Sequence, residues 1–196
     1  STGLFNKGAF MNIITNGLVM HDNIKMSKSK NTNSSEVMDI ISKYGVDSYR
    51  IYLMQNRLLS GINFNFCESN INTNFVRNLK SLLNFLDKFE GLIINTKFKA
   101  SRVTDITDNW ILQSLDNYLE EYHSLMKIFK VARSLSLSIQ FFSSIKKYIT
   151  LNKQRLLSKK DISVSVLIKV ILIYLQTLSP FIPFTTEYLF RNLKSK

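Results

Sequence analysis

The sequence predicts a mainly α-helical fold, in which a short α/β segment precedes an antiparallel bundle of helices. Three observations support this prediction. Apolar residues recur at three- and four-residue steps over most of the chain from residue 68 onward, which is the spacing of amphipathic helices. The early part of the chain instead carries a short apolar run that ends in Asn16-Gly17, as strands do. The 196 residues include only six glycines and two prolines, which favours helix over turn-rich folds.

Residues 1–66 are expected to form the α/β segment. Residues 11–19 predict a short buried strand, and residues 21–23 a polar turn. Two helices should follow, because Gly45 is placed to end the first and Asp47 to cap the second. The apolar positions of these two helices are Val37, Ile40, Ile41 and Tyr44, then Ile51, Tyr52 and Met54.

Residues 67–196 are expected to form the bundle. Three amphipathic helices come first, with a basic connection at residues 94–103 and a charged break at residues 157–161. Their apolar positions are Ile71, Phe75, Leu79, Leu82, Leu86 and Phe89; Ile111, Leu115, Tyr118 or Leu119, and Tyr122; and Ala132, Leu135, Ile139, Phe142 and Ile149.

A fourth helix is predicted over the apolar run at residues 164–178. This run is short for a membrane span and contains Lys169 and Gln176, so we expect a buried bundle helix and no membrane segment. Two prolines, Pro180 and Pro183, should end the helix. A last short helix from about residue 185 should then bring Leu189 and Leu193 to the core.

The net charge of +12 predicts a polyanionic partner, either nucleic acid or an anionic membrane surface. A single cysteine, Cys67, excludes a disulfide framework and a cysteine-based zinc site. The two histidines, His21 and His123, are far apart and lack the spacing of metal ligands. We therefore expect a reducing compartment and no metal held by the protein's own side chains.

The positive charge is concentrated between Glu121 and Asp161, an interval without any acidic residue. A solvated helix face normally mixes both signs of charge, so this interval favours contact with nucleic acid over a solvated face. Tyr148 lies where the charge is densest and is predicted to stack on an unpaired base. The basic residues are Lys127, Lys130, Arg133, Lys146, Lys147, Lys153, Arg155, Lys159 and Lys160.

Residues 25–29 read Lys-Met-Ser-Lys-Ser and form the most informative motif of the chain. Two ammonium groups and two hydroxyls within five residues suit a mobile loop that binds a triphosphate, because both kinds of group donate to phosphate oxygens. A solvated basic turn is the alternative interpretation.

Residues 25–29 are similar to the signature loop of the class I aminoacyl-tRNA synthetases. Asn16-Gly17-Leu18-Val19 before the loop and residues 43–53 after it resemble the isoleucyl branch of that family. Residues 108–112, Asp-Asn-Trp-Ile-Leu, resemble the opening of its anticodon-binding domain. Ser-Pro-Phe-Ile-Pro-Phe at residues 179–184 is similar to a later element of the same domain. The resemblance therefore covers nearly the whole chain, in the order that the family shows.

The resemblance implies a short remnant of a Rossmann-type catalytic domain at residues 1–66 and a helical anticodon-binding domain at residues 67–196. It implies ATP, isoleucine and tRNA as partners, with Mg²⁺ accompanying the ATP, in a monomeric cytoplasmic protein. Lys28 would stabilise the transition state. The motif residues Lys25, Met26, Ser27 and Ser29 would bind or support the phosphates.

The family's His-x-Gly-His signature is missing from this sequence, so the chain resembles a C-terminal fragment that should be inactive alone. Two alternatives stay open. The parent enzyme could be valyl- or leucyl-tRNA synthetase, or the chain could be a non-catalytic RNA-binding helical module.

Overall fold

The computed structural model describes residues 13–21, 24–25, 34–56, 61–86, 105–158 and 162–194. It confirms the mainly helical fold, with a small sheet beside the helices. The strands are β1 (Val19–His21), β2 (Ile24–Lys25) and β3 (Phe64–Asn65). The helices are α1 (Ser34–Tyr44), α2 (Val46–Gln55), α3 (Asn74–Leu86), α4 (Ile106–Lys127), α5 (Val131–Leu151), α6 (Lys153–Leu157), α7 (Ile162–Leu178) and α8 (Pro183–Lys194).

The sheet has the strand order β2-β1-β3, with β2 antiparallel and β3 parallel to the central strand. The first strand begins at Val19, so the strand predicted at residues 11–19 was placed too early; residues 13–18 have no regular structure, and residues 11–12 lie outside the described part. Strand β3 sets the position of β1, because the Phe64 amide donates to the Leu18 carbonyl at 2.8 Å. A two-residue partner strand is too short to be found by sequence periodicity.

Gly17 lies where β3 approaches most closely. A Cβ atom at this buried position would lie 2.0 Å from the carbonyl oxygen of Ile62. We expect Gly17→Ala to lower the free energy of unfolding by about 1–3 kcal/mol, as overpacking does. It should also speed hydrogen exchange of the Phe64 amide. Ile13→Ala is the control, since it changes the same segment at a side chain that is 78% exposed. Unchanged exchange at Phe64 in Gly17→Ala would contradict the close approach.

Gly45 separates α1 from α2, as predicted, and has φ +81° and ψ +146°. This region of backbone space is open essentially to glycine alone. Asp47 was predicted to cap α2. This prediction is wrong, because α2 has no side-chain cap. The Asp47 carboxylate instead accepts the amide of Thr185, in the first turn of α8. A residue of the N-terminal segment thus caps the last helix of the bundle.

Helices α4, α5 and α7 form the core of the bundle. Tyr118 of α4 forms a hydrogen bond with Ser138 of α5, and Tyr148 of α5 donates a hydrogen bond to Asp108 of α4. These two helices therefore run antiparallel. The Ser163 carbonyl accepts from Tyr148 and the Ser138 carbonyl accepts from Tyr174, so α7 runs antiparallel to α5. None of the described helices is both long enough and apolar enough to cross a membrane. The predicted apolar positions that are buried in these helices include Ile111, Leu115, Tyr118, Tyr122, Leu135 and Phe142.

Buried hydroxyls cross-link the three helices. The Tyr118 hydroxyl lies 2.8 Å from Ser138 Oγ and 2.7 Å from Thr177 Oγ1, and Tyr174 donates to the Ser138 carbonyl at 2.8 Å. Tyr122 donates to the Thr177 carbonyl at 2.8 Å, and burial raises the pKa of its phenol to about 12. These phenols therefore stay protonated and remain donors, which satisfies the polar groups that the helices bury.

Three other boundaries differ from prediction. Glu68–Asn70 forms a 3-10 turn, and α3 starts only at Asn74. The short helix α6 was not predicted; it precedes the region predicted as a break and overlaps it only at Leu157. Pro183 opens α8 rather than only ending α7, because proline suits the first helical position. The predicted burial of Leu189 and Leu193 is confirmed. Residues 94–103 lie outside the described part.

Helix α2 connects the N-terminal segment to the bundle. Ile51 belongs to the bundle core, whereas its neighbour Tyr52 packs in a smaller cluster with Ile40, Phe64 and Ile71. Arg50 extends the connection, since its Nε donates to the Phe181 carbonyl at 2.9 Å and its Nη2 to the Pro180 carbonyl at 3.0 Å. The second helix after residues 25–29 is thereby fixed to the turn between α7 and α8.

Candidate nucleotide loop and nucleic-acid interface

The structure describes one residue of the motif at residues 25–29. Lys25 lies in β2, where it pairs with Met20 of β1, and it is exposed. The motif therefore begins in a strand at the edge of the sheet, and not in a loop as predicted. Met26, Ser27, Lys28 and Ser29 lie outside the described residues, and their roles stay predictions.

The described donor set suits a phosphate better than a metal ion. The ammonium of Lys25 is on an exposed strand, where it can reach an anionic ligand. Within the described ranges, no group of three or more His, Cys, Asp or Glu side chains is placed to hold a metal ion.

Six of the nine predicted basic residues form an exposed surface with two groups at the two ends of α5, whereas Lys159 and Lys160 lie outside the described residues. One group surrounds the turn between α4 and α5, and the other lies at the end of α5 and the start of α6. Arg133 and Lys147 are fourteen positions apart on α5, so they share a face and lie about 20 Å apart along the axis. We call these six exposed residues the basic surface: Lys127, Lys130 and Arg133, then Lys146, Lys147 and Lys153.

Two lysines of the basic surface lie over aromatic rings. The Lys146 ammonium is 5.3 Å from the centre of the Phe142 ring, and the Lys147 ammonium is 5.5 Å from that of Trp110. Such contacts hold the ammonium groups near the helix without neutralising their charge. None of the six residues of the basic surface forms an ion pair with the part of the chain that the structure describes.

The predicted stacking role of Tyr148 is wrong. Its side chain is fully buried, and its hydroxyl donates to Asp108 Oδ1 at 2.7 Å and to the Ser163 carbonyl at 3.2 Å. A buried ring offers no face to a base. The sequence contained the sign of this burial, because Tyr148 follows Phe141 and Ile145 at the seven- and three-residue spacing of a core stripe.

Arg155 also differs from prediction, because it is held by two carboxylates. Its Nη1 lies 2.9 Å from Asp105 Oδ1, and its Nη2 lies 3.0 Å from Asp108 Oδ2. Its Nη1 also donates to Asn152 Oδ1 at 2.8 Å. The expectation that the cations of this interval lack partners was wrong here, since the acids come from the start of α4. We therefore assign Arg155 to the packing of α4 against α6, and not to nucleic acid.

Asp105 also caps α4, accepting the Thr107 amide at 2.8 Å and the Asp108 amide at 3.3 Å. Hydrogen bonds from Thr107, with a smaller contribution from Arg155, hold the pKa of the Asp105 carboxyl below its usual range. A lowered pKa means that the charged form stabilises the fold above the unfolded-state pKa. This contribution is lost as the pH falls through the folded-state pKa of Asp105.

Comparison with known proteins places the chain in a family. The model of "tRNA synthetases class I (I, L, M and V)" matches residues 1–65, and that of "Anticodon-binding domain of tRNA ligase" matches residues 108–196. The chain therefore belongs to the class I tRNA synthetases.

Within that family the chain is similar to isoleucine–tRNA ligases. It is 30% identical to the cytoplasmic isoleucine–tRNA ligase of Caenorhabditis elegans, over 99% of this chain and 18% of that protein. It is 29% identical to the isoleucine–tRNA ligase of Tetrahymena thermophila, over 99% of this chain and 20% of that protein. The chain thus spans about a fifth of the length of the curated relatives it matches.

A solved structure supports the fold. The LeuRS of Agrobacterium radiobacter K84, in a ternary complex with tRNA and LeuAMS, superposes with a TM-score of 0.67. The match covers 91% of this chain and 21% of that one, at 16% identity. The predicted family and mainly helical fold are confirmed, whereas the choice of isoleucine and the domain boundary after residue 66 stay predictions.

Proposed function

We propose that this chain is a tRNA-binding part of an isoleucine–tRNA ligase, whose full-length form activates isoleucine with ATP and transfers it to tRNA(Ile). The observation that carries the proposal is the basic surface. Six exposed cations without an acidic partner among the described residues lie on α4, α5 and α6 and the turn between α4 and α5, within residues matched by the anticodon-binding family. Such a surface binds a phosphate backbone through release of counterions.

The reaction has two steps. In the first, the isoleucine carboxylate attacks the α-phosphorus of ATP, and the bond to pyrophosphate breaks. In the second, a hydroxyl at the tRNA 3′ end attacks the acyl carbon, and AMP leaves. Positioning and electrostatic stabilisation supply most of the rate enhancement in phosphoryl chemistry of this type.

The residues of the motif would act on the first step. The second lysine, Lys28, would stabilise the negative charge that develops on the phosphate oxygens. Lys25 would hold a phosphate from the strand edge, while Ser27 and Ser29 donate hydrogen bonds and Met26 anchors the loop. Mg²⁺ would neutralise further charge on the departing pyrophosphate.

The contacts of α2 give this proposal a mechanical basis. Because α2 is fixed to the turn between α7 and α8 by Arg50, and to the start of α8 by Asp47, the bundle and the sheet that carries Lys25 keep a set relative orientation. A tRNA held on the basic surface would then approach the nucleotide site in one arrangement. We propose a monomeric cytoplasmic protein, with domains that meet after residue 66.

Pyrophosphate exchange tests the proposed reaction. The full-length protein that carries this chain should exchange labelled pyrophosphate into ATP when isoleucine is supplied, and much more slowly with valine or leucine. Faster exchange with valine or leucine would assign the enzyme to that branch instead. The absence of exchange with all three amino acids would favour a non-catalytic RNA-binding module.

The basic surface makes a separate prediction for the 196-residue chain. Its affinity for a tRNA(Ile) transcript should fall steeply as salt rises. Lys146→Ala combined with Lys147→Ala should reduce the slope of log affinity against log salt by about 1.4 to 1.8, or about 0.7 to 0.9 per lost contact. Filter binding at several salt concentrations measures the slope.

Arg191→Gln is the matched control for this measurement. It removes an exposed cation that is already paired with Glu187 at 2.6 Å on α8. We expect its salt slope to match the unchanged chain. Equal slopes for the double lysine variant and the unchanged chain would contradict phosphate contact at this end of the basic surface.

A further inference from the structure

The turn between α4 and α5 contains an aromatic residue in a backbone conformation that favours glycine. Phe129 has φ +58°, and it is the only residue other than glycine with a positive φ in the described ranges. Its amide donates to the Met126 carbonyl at 3.0 Å, and the Lys130 amide donates to the Leu125 carbonyl at 2.9 Å. These two bonds define a Schellman motif, in which Phe129 occupies the left-handed position after the helix.

The turn itself does not account for phenylalanine. Glycine is the usual residue at this position, because a Cβ atom in the left-handed conformation crowds the following carbonyl. Packing does not account for it either. The Phe129 side chain is 47% exposed, and it is not among the apolar residues that pack against the bundle core. The ring is therefore held in solvent at the tip of a helical hairpin by a backbone that would be better served by glycine.

Every charged side chain within four residues of Phe129 in the sequence is positive. Lys127 precedes the ring, Lys130 and Arg133 follow it, and all three are exposed. An exposed aromatic ring framed by cations is the arrangement by which proteins bind single-stranded nucleic acid, with a base on the ring and phosphates on the cations.

We propose that Phe129 is a stacking platform for an unpaired base of the bound RNA, with Lys127, Lys130 and Arg133 holding the adjacent phosphates. This inference rests on the proposed tRNA-binding function and adds a base contact to it. The base contact predicted for Tyr148 is thereby placed at the opposite end of α5, on a ring that solvent can reach.

Phe129→Gly separates stacking from a structural role. The substitution removes the ring and supplies the residue that the turn favours, so the melting temperature should be unchanged or higher. The dissociation constant of the 196-residue chain for a tRNA(Ile) transcript should rise about 5- to 150-fold, the effect of losing one base–aromatic stack. The salt slope should stay the same, because no phosphate contact is lost.

Three matched variants complete the experiment. Phe129→Tyr keeps a ring and should bind nearly as well as the unchanged chain. Ile128→Ala removes an exposed apolar side chain without a ring from the same turn and should leave binding unchanged. Lys130→Ala should lower the salt slope by about 0.7 to 0.9.

Two outcomes overturn the stacking inference alone. Binding of Phe129→Gly equal to that of the unchanged chain removes the base contact, and weaker binding together with a lower melting temperature makes the ring a structural residue. Failure of the unchanged chain to bind tRNA overturns the inference together with the tRNA-binding part of the proposed function. Pyrophosphate exchange by the full-length protein still tests amino acid activation separately in that case.

Discussion

Pyrophosphate exchange by the full-length protein is expected to fall at least about a hundredfold when Lys28 is replaced by alanine. The lysine would meet charge that develops only as the α-phosphate is attacked, so its loss should lower kcat far more than it raises the KM for ATP. Isoleucine-dependent exchange, measured over a range of ATP concentrations, separates the two effects.

The neighbouring Lys30 provides the control for this prediction. It carries the same charge two positions later, outside the motif. Lys30→Ala should leave exchange close to that of the unchanged protein. The expected effect at Lys28 comes from its position in the motif, and not from the loss of one positive charge. Exchange by Lys28→Ala near the unchanged level would remove Lys28 from the proposed catalytic role, even if the enzyme proves to be an isoleucine–tRNA ligase.

The second large effect is expected at Asp108, the buried centre of the network at the start of α4. Its side chain is almost fully enclosed and accepts hydrogen bonds from Tyr148 and from Arg155. Asp108→Ala should lower the free energy of unfolding by about 3–5 kcal/mol, because Tyr148 and Arg155 both lose a charged acceptor and each such hydrogen bond contributes about 1.5–3 kcal/mol. Urea denaturation of the 196-residue chain, followed by circular dichroism, measures this change.

Asp116→Ala is the matched control, because Asp116 lies on the same helix and is exposed. Its effect should stay within about 0.5 kcal/mol. The double variant Asp108→Ala with Arg155→Met should be destabilised by less than the sum of the two single variants. Removing either residue lowers stability mainly because the other is left without its partner. Additive effects would show that the ion pair does not couple the two helices.

The helices of the bundle could be predicted because their pattern is local. Residues such as Ile111, Leu115 and Tyr122 repeat at helical spacing on α4, and the structure buries that face. The same rule, applied to the charged interval, would have found Tyr148. Charge density alone was misleading there, because it does not separate the exposed residues of the interval from a residue on the buried face of the same helix.

Other features depend on partners that are remote in sequence. Asp47 caps a helix that begins more than 130 residues later, and Arg155 pairs with acids almost 50 residues earlier. Local propensity contains no information about such contacts, because antiparallel packing brings them together only after the helices have formed. The role of Phe129 was missed for a related reason, since its left-handed backbone becomes visible only once the end of α4 is known.

The packing of α2 has a consequence for how the protein unfolds. Two consecutive residues of α2, Ile51 and Tyr52, contribute to different hydrophobic clusters, so α2 cannot unfold without uncovering part of both. Loss of α2 would also remove the Asp47 cap from α8. We therefore expect heating to act on the sheet that carries Lys25 and on the basic surface as one cooperative unit.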